Sequence, residues 1–142
     1  MFYANGYGVA QISQWMDGFS LYQYDRLAVF GRAIVVHVGA PRRGCGVIGG
    51  AFGVTSATVT AALYPGPAQA PGFAYPNAAA VASLSESSGV LVMKAVLSGL
   101  EPSVTGGIHI HSGFQCSSDG AVTGGHYWTG LRADPWVNSN GM

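Results

Sequence analysis

Glu86-Ser87-Ser88-Gly89-Val90-Leu91-Val92-Met93-Lys94-Ala95-Val96 is the stretch that decides the fold class. Ser-Ser-Gly carries turn chemistry, because glycine supplies the positive φ that a tight hairpin needs. The run from Val90 to Val96 is largely apolar, as an inner strand is, and an alternating segment ends near Ser83 on the other side of the turn. This hairpin predicts antiparallel β structure, and the same grammar recurs in both directions along the chain. Strands are expected near Gly8–Ser13, Gly18–Tyr22, Arg32–His37, Gly46–Ala51, Ala57–Tyr64, Ala78–Ser83, Gly89–Leu97 and Gly107–His111, with no long helical periodicity. The expectation is an all-β, eight-stranded β-sandwich or barrel. Proline keeps the connection from Pro65 to Pro76 out of any ladder, and Thr129 to Met142 reads as loop.

A chain of 142 residues is long enough for one domain with a core and too short for two ordinary ones. Charged residues make up only 8%, whereas glycine occurs 22 times, a balance that favours short strands and turns over charged helices. Six basic and six acidic side chains cancel, which excludes the basic field that nucleic acid or an anionic membrane would require. Arg32 and His37 interrupt the best candidate span, Leu27 to Val36, so no membrane-spanning helix is expected. The first residues lack a basic segment followed by an apolar one, so the chain is expected to be processed or to belong to something longer.

Cys45 and Cys116 allow one intramolecular pairing. Both sit in Gly/Ser/Arg-rich surroundings, which favours a disulfide over two buried thiols and so an extracellular or cell-surface setting. The four histidines are more telling. His109 and His111 alternate on one strand, so both imidazoles can face one metal ion; His126 follows in Thr123-Gly124-Gly125-His126, and His37 ends the apolar strand Ala33-Ile34-Val35-Val36-His37. A His-x-His pair alone is more often a chance feature of a strand, and the remaining residues give this one its weight.

Leu97-Ser98-Gly99-Leu100, Gly107-Ile108-His109-Ile110-His111, Cys116 and Gly124-Gly125-His126 resemble the first half of the copper/zinc superoxide dismutase family, in its copper-only variant. Gly31-Arg32-Ala33-Ile34-Val35-Val36-His37 and Arg42-Arg43-Gly44-Cys45-Gly46-Val47-Ile48-Gly49 resemble its second half. Here the halves are reversed: residues 1–51 resemble the family's C-terminal half and 55–142 its N-terminal half. The resemblance implies one Greek-key domain over 1–142 that is circularly permuted, or one unit of a superoxide dismutase repeat. Reading from Trp136-Val137-Asn138-Ser139-Asn140-Gly141 into Phe2-Tyr3-Ala4-Asn5-Gly6 restores the family's order, which favours the repeat.

The resemblance further implies that His37, His109, His111 and His126 ligate copper, with His126 in the position that bridges to zinc in the two-metal enzymes. No histidine remains for zinc, so a copper-only site is expected. Arg42, three residues before Cys45, falls where the family keeps an arginine that attracts superoxide, with Arg43 as the rival. The implied reaction dismutates superoxide to O2 and hydrogen peroxide, with His126 supplying a proton. Without zinc, the second nitrogen of His126 needs another partner, and Asp134 is the candidate. The short link from His37 to Cys45 leaves no room for the charged loop of the two-metal enzymes. Tyr22, Tyr24, Tyr127, Trp128 and Trp136 are expected in the core or an interface.

Two other functions compete with the enzyme. A structural repeat of an extracellular fibre or wall assembly, with neighbouring copies of itself as partners, would suit the low charge. A copper-buffering module would keep the ligands but have no need of Arg42. No Asn-x-Ser/Thr acceptor is present for N-linked glycan.

Overall fold

Ser88 (φ 53°) and Gly89 (φ 76°) take consecutive left-handed conformations, the backbone of a two-residue hairpin turn. They join β6 (Ala79–Ser87) to β7 (Val90–Ser98), which pair antiparallel from Ser87↔Val90 to Ala79↔Ser98. The computed structural model describes residues 1–22, 24–49, 55–65, 77–130, 134 and 136. Around the hairpin stand β1 (Phe2–Tyr3), β2 (Ala10–Asp17), β3 (Ala33–Val38), β4 (Arg42–Val47), β5 (Ser56–Leu63) and β8 (Thr105–Ile110), with one helical turn, α1 (Gly120–Thr123).

The strands form an eight-stranded antiparallel sheet in the order β1-β8-β3-β4-β5-β6-β7-β2. Its two ends, β1 and β2, come close together, so the sheet is a nearly closed barrel. Strands from residues 1–51 interleave with strands from 55–142: β8 lies between β1 and β3, and β2 lies against β7. Neither half of the chain makes the sheet alone.

Period-two alternation sets the core. Ala57, Val59 and Ala61 of β5, Ala80, Ala82 and Leu84 of β6, and Leu91, Met93, Ala95 and Leu97 of β7 point inward, while Thr58, Thr60, Ser83 and Lys94 face out. Small alanines on two strands leave volume for the larger side chains of the third. Ile34 and Val36 of β3 and Ile108 and Ile110 of β8 complete this core. Ala33 and Val35, on the opposite face of β3, join Cys45 and Tyr64 in a second cluster against Cys116.

The structure moves several expected elements. Gly18–Tyr22 is not a strand: Ser20 makes one isolated bridge to Ala28. The Glu86 carboxylate accepts from Ser20 Oγ (2.9 and 3.1 Å) and from the Leu21 N–H (2.7 Å), so a side chain takes the Leu21 donor that a ladder would have used. Phe19 and Leu21 instead fill the core. The eighth strand is β1, two residues too short to leave a periodic signal. The strand expected at Gly46–Ala51 starts earlier, at Arg42, and ends at Val47. β2 runs on to Asp17 and β6 to Ser87. The connection at 66–76 and residues 137–142 lie outside the described residues. Among the described residues, no helix is long and apolar enough to cross a membrane.

Leu97 is fully buried in the main core. Replacing it by Ala should cost about 2–5 kcal/mol through lost burial and the cavity left behind, measured as a lower urea midpoint at unchanged slope.

Candidate metal centre

The β3–β8 ladder brings the first three histidines together. Val35 pairs with His109 and His37 with Gly107, so His37 and His109 are diagonal neighbours on one face. The bare Gly107 opposite His37 leaves room for the imidazole. Alternation then puts His111 beyond His109 on the same face, with its N–H bonded to Ala33 O (2.8 Å). Ile108 and Ile110 go to the core, while His109 and His111 are buried on the other side at 1% and 2% exposure. One donor nitrogen from each of His37, His109 and His111 lies within 4.8 Å of the other two.

His126 arrives from the loop. It forms an isolated antiparallel bridge to His111, and its ring centroid is 4.6 Å from His109, 5.4 Å from His111 and 6.4 Å from His37. It stands beside the three-nitrogen set and not inside it. Asp134 Oδ2 lies 2.7 Å from His126 Nδ1, and Asp134 Oδ1 accepts the Trp136 N–H at 2.8 Å. Trp136 is fully buried against the His109 and Phe19 rings and donates its indole N–H to Tyr127 O (2.9 Å). It is thus a packing tryptophan, as expected, and also an anchor for Asp134.

Hydrogen bonding assigns the tautomers. His111 Nδ1 lies 2.8 Å from Gly124 O and His37 Nδ1 lies 3.3 Å from Ala40 O; a carbonyl only accepts, so both Nδ1 atoms donate. In the neutral rings each Nε2 therefore carries a lone pair, and these two Nε2 atoms face each other at 3.2 Å. Two lone pairs at that distance repel unless a cation or a proton joins them. Both nitrogens of buried His109 also have no hydrogen-bond partner. A proton is a poor remedy, because burial first, and then neighbouring positive charge, pushes His37 down to about 4, His109 to about 2 and His111 to about 3. For His37 and His111 the neighbouring charges are Arg42 and other histidines, opposed by the carbonyl bonds that raise them. A metal ion fits this set of converging, neutral imidazole nitrogens.

Arg42 and Arg43 part company at a β-bulge: Val36 pairs with Gly44 but His37 with Arg42, so Arg43 is the extra residue and Arg42 takes the place opposite His37. Arg43 Nη2 pairs with Glu101 Oε1 at 3.0 Å. Arg42 lies on the histidine side: Nη1 donates to Tyr64 Oη (2.8 Å) and Gly120 O (3.1 Å), and Nη2 to Gly124 O (2.8 Å). All three acceptors are neutral, and among the described residues no carboxylate pairs with Arg42. Gly124 O thus holds both His111 and Arg42. Gly124 has φ 77°, and a Cβ there would collide with the Ser112 hydroxyl, so the residue needs to be glycine.

Cys45 and Cys116 form a disulfide across 71 residues, tying the loop that carries α1 to β4. Tyr64, Thr123 and the carbonyl of Gly124 were not among the candidate residues of the sequence. The left-handed glycine before Gly125-His126 was a faint signal for the last; nothing local marks Tyr64, which meets Thr123 only in the folded chain.

Comparison with protein-family models and with curated proteins gives no match for this chain. The functional reading rests on the site.

The lowered histidines give stability a sign with pH. Unfolded histidines take up protons near 6.5, whereas these three stay neutral until about 4 or below. The unfolded state thus binds more protons in that interval, so the metal-free protein should lose stability as pH falls from 6.5 towards 4. Urea midpoints across that range check this, and alanine at His109 should flatten the slope.

Proposed function

We propose that the chain is an extracellular copper-only superoxide dismutase-like domain, permuted relative to the family it resembles or one unit of a repeat. The overall reaction converts two superoxide anions and two protons to O2 and hydrogen peroxide. The observation that carries this reading is the convergence of His37 with His109 and His111, beside His126 and an arginine whose charge no carboxylate among the described residues cancels.

The donor set favours copper. It consists of neutral imidazoles, its cysteines are tied to each other, and among first-row divalent ions copper binds nitrogen donors most tightly. When bound, copper supplies the one-electron couple by which one superoxide is oxidised and the next reduced. Asp134 supports a single-metal site, since it takes the Nδ1 hydrogen of His126 and the chain has no further histidine for a second ion.

The residues supply the rest. Arg42 attracts and orients the superoxide anion through a guanidinium fixed on three neutral acceptors. His126 keeps its Nδ1–H on Asp134, which leaves Nε2 as the atom that takes and releases a proton. Its side chain is 20% exposed, enough for exchange with solvent. His37 and His111 are held by backbone carbonyls, and that rigidity keeps their Nε2 atoms aimed at one point. The disulfide is consistent with an oxidising compartment.

The second reading, an assembly module in an extracellular fibre or wall, draws on Tyr7, Trp15 and Tyr24, which stand exposed on an otherwise weakly charged surface.

Metal analysis and a dismutation assay on the purified protein test the proposal. About one copper per chain with rapid dismutation is expected. Copper without activity would sink the enzyme and leave the assembly or buffering reading, and no copper would sink the enzyme and the buffer together. Arg42→Ala should keep its copper and slow dismutation about tenfold, with a weaker dependence on ionic strength. Asp134→Asn should keep a bond to His126 yet slow dismutation.

A further inference from the structure

Arg42 has three hydrogen-bond partners, and two of them, Gly120 O and Gly124 O, lie in the same short segment around α1. The third is the phenol of Tyr64, at the end of β5 in the barrel wall. The loop carbonyls alone would let the guanidinium move with the loop. The phenol ties it to the sheet. Tyr64 is 1% exposed and is packed with Ala33, Val35, Cys45 and Cys116, so the phenol itself has no freedom to follow the loop.

The direction of the bonds matters as much as their number. Tyr64 Oη donates its hydrogen to Thr123 Oγ1 at 3.0 Å, and Thr123 Oγ1 also accepts the Ser117 N–H at 3.1 Å. With its hydrogen committed to Thr123, the phenol turns a lone pair towards Arg42 Nη1. A hydroxyl in this place fixes the cation and leaves its charge unspent. A carboxylate would fix it equally well and cancel the charge, as Glu101 does for Arg43.

We infer that Tyr64 is a positioning residue: through its hydroxyl it holds the Arg42 guanidinium, uncancelled, where an anion approaching the histidine cluster meets it. This rests on the copper reading of that cluster. Thr123 belongs to the same device, because it sets the phenol's donor direction from a fully buried position.

The test uses the copper-loaded protein and azide, an anion whose binding to Cu(II) is read from the visible spectrum, so that no turnover is needed. Wild type, Arg42→Ala, Tyr64→Phe and Thr123→Val are compared for copper content, EPR parameters, melting temperature and azide dissociation constant. Tyr64→Phe should keep one copper and an unchanged EPR signal while weakening azide roughly three- to tenfold, with Arg42→Ala weaker still and Thr123→Val shifted in the same direction. A lower melting temperature with an unchanged azide constant in both Tyr64→Phe and Thr123→Val would make the phenol merely structural and overturn the inference. If Tyr64→Phe does not fold, Thr123→Val decides alone, and its unchanged azide constant overturns the inference. If wild type binds no copper, or Arg42→Ala leaves azide binding untouched, the copper and arginine reading itself fails, an outcome distinct from failure at Tyr64.

Discussion

The β3–β8 ladder is the contact on which the rest depends. It joins the first part of the chain to the last, and its register, Val35↔His109 and His37↔Gly107, sets three imidazoles on one face. A slip of one residue would turn His109 and His111 into the core and bring Ile108 and Ile110 out. The four isoleucine and valine side chains buried from these two strands oppose that slip. Packing on one face thereby fixes chemistry on the other.

The histidine cluster is polar on terms that the fold alone does not satisfy. Facing Nε2 lone pairs on His37 and His111, and a buried His109 with no hydrogen-bond partner, are costly without a cation. Their carbonyl partners compound this by committing each Nδ1 as a donor. The fold holds these imidazoles with their Nδ1 atoms committed as donors and their Nε2 lone pairs converging, a preorganisation that suits a metal ion.

One carbonyl, Gly124 O, links the histidines to the arginine, and the disulfide links the loop bearing it to β4. Ligand orientation and anion attraction therefore share a support. Arg43, paired with Glu101, takes no part in that support. Two adjacent arginines of equal charge are made different by a bulge in one strand.

Much of this was legible in the chain. The Ser88-Gly89 turn, the alternation in β5 to β7 and the His-x-His spacing are local patterns, and local patterns survive in sequence because period-two geometry needs no partner to be read. The two-residue β1 left no such pattern, and Gly18–Tyr22 misled because Glu86, more than sixty residues away, captures the backbone that would have paired. By itself the sequence determined the fold class and the single possible disulfide, and it named four histidines of which the structure brings three within reach of one ion. Only the tertiary structure decided that Arg42 and not Arg43 stands over the cluster, that Asp134 meets His126, and that Tyr64 belongs to the site. The arginine and tyrosine contacts join segments remote in the chain, and the Asp134 contact depends on the course of a loop that carries no periodic signal.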